Sequence, residues 1–170
     1  MPNKHADLDY IIPNYKIFID TCSLMHEHAE KVFLHTLSHF LKKYRLKIFI
    51  PKTVIHEIEK KKLTADNDIR RKADTAYKIV ENYYANRLVK IQQDKNEPFA
   101  DNLFQYVFTK FMTKYNLCLI TNDNCLAYDI LELKNKCSIN HIKDIIVLRI
   151  TLKGELQHHD YNYLKREMKL

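Results

Sequence analysis

One glycine and four prolines in 170 residues leave little material for tight turns. A sandwich of short strands needs a turn roughly every 8–12 residues, so an all-β fold is disfavoured. Cysteine is sparse too: Cys22, Cys118, Cys125 and Cys137 show no CxxC spacing. That argues against a thiolate zinc site and a disulfide framework, and leaves reduced cytoplasmic thiols as the default. No window approaches the roughly 18 uninterrupted apolar residues of a membrane span. The opening MPNKHADLDYIIPNY has no apolar signal segment. These absences set the expectation of a soluble cytoplasmic protein that does not cross a membrane.

What the chain does contain is 46% hydrophobic residues, enough for one domain with a two- or three-layer core. Its formal charge is +7 and its pI about 9.1, with 21 acidic residues retained among 28 basic ones. A basic surface around a few acidic points suits an enzyme of nucleic acids. Lysine-rich, solvated helix faces account for the same numbers, so charge alone does not name a partner.

Residues 1–15 are polar, carry two of the prolines, and read as a loosely packed leader. The first regular element is KIFI (16–19), a strand that ends at Asp20 and Thr21. A helical stripe follows in Phe33, Leu37, Phe40, Leu41 and Tyr44. LKIFIP (46–51) is a second strand stopped by Pro51, and TVIHEIEKKK (53–62) a short helix. Asp66 or Asp68 caps a helix over roughly 69–84, with Ala73, Ala76, Tyr77, Val80 and Tyr84 on one face. LVKI (88–91) fits a strand or an extended connector.

Asp101 stands at the start of another helix, whose stripe is Phe104, Val107, Phe108, Phe111 and Met112. NLCLIT (116–121) is the strongest buried-strand signal, and NDNCLAYDILEL continues it as a helix. IIVLRITL (145–152) reads as an edge strand before a short terminal helix. Strands alternating with helices predict a three-layer α/β/α domain around a mostly parallel sheet. The expected division is a leader over 1–15, the main domain over 16–137, and an extension over 138–170 packing on that same domain.

Ligands of such sheets bind beyond the carboxyl ends of the strands. Asp20 follows KIFI directly and Asp123 comes two residues after the strand segment NLCLIT ends at Thr121, so both carboxylates can reach one edge. Glu57 and Asp101 are the acids available to join them. Converging carboxylates repel unless protons or cations neutralise them, and hard oxygen donors select Mg²⁺ or Mn²⁺ over zinc.

IFIDTCSLM (17–25), IPKTVIHEIEK (50–60), FADNLFQYVF (99–108) and LCLITNDNCLAYDI (117–130) together resemble the PIN-domain ribonuclease family. The resemblance covers about residues 16–133, in the family's order. It implies a PIN-like fold and hydrolysis of RNA phosphodiester bonds by one or two Mg²⁺ or Mn²⁺ ions. Asp20, Glu57, Asp101 and Asp123 would be the catalytic, metal-holding residues. The hydroxyls of Thr121 and of Thr21 or Ser23 would orient a carboxylate or a bound water.

Each residue has a plainer role beside this one. Asp20, Asp101 and Asp123 could be helix N-caps, and Glu57 competes with Glu59 as a surface partner for the lysines after it. Glu57 is favoured because Val54 and Ile58 put it at the buried border. Lys60, Lys61, Lys62, Arg70 and Arg71 could grip RNA phosphates or form a solvated face. His26, His28, His158 and His159 lack a partnered ligand set and read as surface residues. Asp129 reads as structural, and Tyr83, Tyr84, Tyr161 and Tyr163 as edges of the core. The expected activity is a metal-dependent endoribonuclease. Alternatives are a toxin restrained by a protein antitoxin or inhibitor, a silent RNA- or protein-binding module, and a flap-endonuclease-like DNA nuclease. A homodimer is compatible with all of them.

Overall fold

The computed structural model describes residues 5–92, 100–136 and 141–168, and only the backbone of Ala100 and Asp101. At the centre of its sheet, β1 (Lys16–Ile19) pairs in parallel with β4 (Leu117–Ile120), from Lys16 opposite Leu117 to Ile19 opposite Ile120. On one side lie β2 (Ile48–Pro51) and β3 (Val89–Gln92); on the other, β5 (Ile145–Ile150) and β6 (Leu156–His158). The order is β3-β2-β1-β4-β5-β6, parallel except for β5 with β6. Ile17, Phe18 and Ile19 are buried, as is all of β4. Strands apolar on both faces belong to sheets covered by helices on both sides.

The helices are α1 (Leu8–Asn14), α2 (Thr21–Leu24), a π-helical stretch Lys31–Leu37 running into α3 (Ser38–Tyr44), and α4 (Lys52–Lys62). They continue as α5 (Asn67–Ala85), α6 (Ala100–Phe111), α7 (Asn124–Lys136) and α8 (Tyr161–Glu167). One helical layer packs α4 on α5, α5 on the π-helical stretch and α1 on α3; the other packs α6 on α7 and α7 on α8. This is the expected α/β/α arrangement. None of the helices among the described residues is long and apolar enough to cross a membrane.

Four details differ from the expectation. Over its described residues, 5–15, the leader is not loose: Asp7 caps α1, and Leu8, Ile11 and Ile12 are buried. Only four buried side chains, Tyr15 the fourth, carry that packing, too few to stand out against polar neighbours. The second difference is that β5 lies inside the sheet and the edge is β6, whose three residues leave almost no strand pattern. Third, the buried series on α5 is Ala73, Ala76, Ile79, Val80 and Tyr83, while Tyr84 is 69% exposed. Steps of three and four from Ala76 reach either tyrosine, and tertiary contact decides: the Tyr83 hydroxyl donates to the Phe33 carbonyl at 2.5 Å.

That carbonyl also accepts the Ser38 amide, an i to i+5 bond of the π-helical stretch. Here lies the fourth difference, because apolar spacing alone reads the segment as an ordinary α-helix. The ambiguous LVKI segment forms β3 and pairs with β2, with Ile50 opposite Ile91.

Candidate functional site

Because β1 and β4 are parallel neighbours, both deliver the chain to one edge, where Asp20 and Thr121 emerge side by side. Asp20 keeps an extended backbone and caps α2, its Oδ1 accepting the Thr21 amide at 2.7 Å. Its Oδ2 accepts the Thr121 hydroxyl at 3.0 Å and the Cys22 thiol at 2.8 Å. Asp20 is only 5% exposed. Burial pushes its carboxyl above the usual range; the three donors oppose that rise, and the nearby Glu57 charge adds to it. Such a carboxylate is short of positive charge.

Glu57 comes from α4 and is half-buried. The Thr21 hydroxyl donates to its Oε2 at 2.5 Å, so adjacent residues of one turn hold two acids. On the β4 side, the Thr121 hydroxyl accepts the Asp123 amide at 3.0 Å. Asp123 Oδ1 in turn accepts the amides of Cys125 and Leu126, at 2.7 and 3.0 Å, and caps α7. The modest N-cap role is therefore present for both Asp20 and Asp123. A continuous path nevertheless runs from Glu57 through Thr21, Asp20 and Thr121 to the backbone of Asp123.

Ser23 is fully buried and donates to the side-chain amide oxygen of Asn122, Oδ1, at 3.2 Å rather than to a carboxylate. Asp101 is the second residue of α6, and its side chain lies outside the description, as does Cys137. Among the described residues, no group of three or more His, Cys, Asp and Glu side chains is arranged to hold a metal ion. The donors present still suit a hard divalent cation in kind. Asp20 is a buried carboxylate, Glu57 is a second one tied to it by a single threonine, and both offer oxygen. Completing the set requires a carboxylate beyond that pair.

The basic residues divide. Lys60 and Lys61 are exposed at the end of α4. Lys62 pairs with Asp74 at 3.7 Å and lies 4.0 Å from the Tyr77 ring centroid. Arg71 pairs with Asp68 at 2.8 Å, and Arg70 donates to Asn67. Asp129 is exposed and accepts from Gln105 at 3.1 Å.

Three site residues were not anticipated. Cys22 donates to Asp20, while its sulfur accepts the Asn122 amide at 3.2 Å; burial pushes the thiol up to about 12, so it stays protonated. Asn122 straps the β4 turn to β5, accepting the Ile150 amide at 3.0 Å and donating to the Ile150 carbonyl at 2.8 Å. His159, expected at the surface, instead sets its Nε2 2.9 Å from the Thr121 carbonyl, and burial holds its pKa below the usual value. The sequence signal for Cys22 is its place two residues after a strand-end aspartate. Asn122 and His159 act across the fold, where no local pattern reveals them.

Comparison with known proteins agrees with this arrangement. The family model described as "PIN domain" matches residues 17–147. Among solved structures, "Structure of the PIN domain endonuclease Utp24" superposes with a TM-score of 0.58 at 15% identity. The match covers 86% of this chain and 92% of that one, a likeness of fold. No curated protein matches. With more than half its length matched, this chain belongs to the PIN domain family.

Proposed function

We propose that this chain is a metal-dependent endoribonuclease, with Asp20, Glu57, Asp101 and Asp123 as its metal-holding residues and Mg²⁺ or Mn²⁺ as cofactor. The observation that carries the reading is the buried Asp20 carboxylate at the carboxyl end of a central strand, joined to Glu57 through Thr21. Family membership supports hydrolysis of a phosphodiester bond, and the +7 charge supports a nucleic-acid substrate. A divalent ion bound there would supply Lewis acidity, activating water and offsetting charge on the phosphate.

The protein's own part is positioning. The Thr21 amide and the Thr121 hydroxyl fix the two oxygens of Asp20, so its carboxylate meets a ligand without reorganising. The Thr21 hydroxyl holds Glu57 in the same way. Asp123 keeps Oδ1 on the first turn of α7, which fixes the direction of its carboxylate. The carboxylates act as ligands and electrostatic anchors rather than as proton carriers.

The test is incubation of purified protein with labelled RNA and, separately, DNA, in Mg²⁺, Mn²⁺ or EDTA, beside Asp20→Asn. Expected is cleavage of RNA that EDTA abolishes and that the variant reduces by more than about 100-fold. Equal cleavage by Asp20→Asn would refute the assignment.

A further inference from the structure

The face of the sheet that carries Asp20 also carries a groove that the proposed site does not use. Lys16, Phe18 and Asp20 alternate along extended backbone, so all three project to that face. Phe18 stands opposite Phe49 on β2, and Phe49 opposite Lys90 on β3, which makes a row across three strands. Phe18 and Phe49 stack at 5.2 Å between centroids and form the floor. Phe111 and Tyr115, from the end of α6 and the turn after it, form a wall. The space between them is about 360 Å³, inside the range of small-ligand sites, roughly 300–1,000 Å³.

Its chemistry is one-sided. Lys16 and Lys90 line it, and among the described residues no Asp or Glu does. Lys110 and Lys114 lie 5.4 Å from the Phe111 centroid and 5.2 Å from the Tyr115 centroid, and Lys16 lies 5.6 Å from the latter. Phe49, Phe111 and Tyr115 are each only half-buried, while Lys16 and Lys90 are exposed. At the β3 end, the buried Gln92 Oε1 meets no donor among the described residues. Aromatic rings flanked by lysines are a means by which proteins hold single-stranded nucleic acid, stacking bases and tracking phosphates. A second copy of this chain fits less well, because it brings +7 charge to a basic groove.

We propose that this groove is a subsite for single-stranded RNA. One or more bases stack on Phe49 and Tyr115, their phosphates lie on Lys16 and Lys90, and a base N–H is offered to Gln92. Phe18 and Asp20 are two residues apart on extended chain, about 7 Å. A strand leaving the groove along β1 therefore arrives at the carboxylates. The inference rests on the nuclease reading for its substrate class, but its test does not depend on catalysis.

The test is fluorescence anisotropy with a labelled 12-nucleotide oligouridylate in EDTA. It compares wild type, the double variant Lys16→Gln with Lys90→Gln, and Tyr115→Leu, each checked by thermal melting. Expected is about a tenfold rise in Kd for either variant, with a salt slope shallower by about 0.7 per lost lysine in the double variant. If Tyr115→Leu fails to fold, the exposed lysine pair decides alone. Unchanged binding by the folded double variant would overturn the proposal. So would loss of a wild-type dimer in that variant with RNA affinity intact, which would assign the groove to a second copy. Cleavage in Mg²⁺ is scored in parallel: binding that depends on the groove without any cleavage would count against the nuclease reading and leave the subsite standing.

Discussion

Thr21 and Thr121 bear on the site more directly than their size suggests. Each places a hydroxyl between two chain segments: Thr21 between Asp20 and Glu57, Thr121 between Asp20 and Asp123. Thr21→Val keeps the buried shape and removes the hydroxyl, so Glu57 loses the bond that orients it. The expected outcome is a 10- to 100-fold fall in RNA cleavage rate, about the usual effect of removing a ligand's supporting partner. Far-ultraviolet circular dichroism should stay unchanged, and a variant that cleaves at the wild-type rate would deny Thr21 that role. The place of Asp20 and Asp123 at the sheet edge was legible at this scale because a carboxylate just past an apolar strand is a local pattern. Asn122 and His159 were not, since what they touch comes from segments 28–100 residues away.

Among the elements, α7 and α8 are joined by a polar clasp on their shared face. Tyr128 and Tyr161 stack at 5.8 Å, and their hydroxyls donate to Glu132 Oε1 at 2.5 and 2.8 Å. The Tyr128 hydroxyl first, then Tyr161 and Lys136, hold the Glu132 carboxyl down at about 2, against an ordinary 4.5. A depressed folded-state pKa contributes stability that is complete above the ordinary value and lost as pH falls toward the folded one. Glu132→Gln should therefore lower Tm at pH 7, with the gap to wild type closing between about pH 4.5 and pH 2. A gap that is constant across that window would show that the charge is not what stabilises the clasp. The elements themselves were read well where an apolar run was long or strongly periodic, as in β1, β4 and α6. They were missed where the run was short, as in α1 with three buried residues and β6 with three residues in all, and α5 was misread only at the choice between Tyr83 and Tyr84, which helical spacing leaves open.

For the whole molecule, the sheet order explains why segments far apart in sequence end at one edge. β1 and β4 are separated by about 100 residues of chain but adjacent in the sheet, and their parallel pairing sends both loops to one edge. The alternation of strands and helices made that architecture legible without any side-chain detail. It did not show that the N-terminal segment closes the core on α3. Ile12 is 1% exposed, and Ile12→Ala should cost about 2–5 kcal/mol in urea unfolding, as for other buried aliphatic truncations. A cost near zero would return residues 5–15 to the status of a loose leader. The central claim, that this edge holds a divalent ion on carboxylates, is tested most directly by calorimetric titration of Mn²⁺ into the purified protein. Wild type is expected to bind Mn²⁺ with an affinity that Asp20→Asn weakens by more than about tenfold; equal affinity in Asp20→Asn and wild type would rule out a metal site on Asp20.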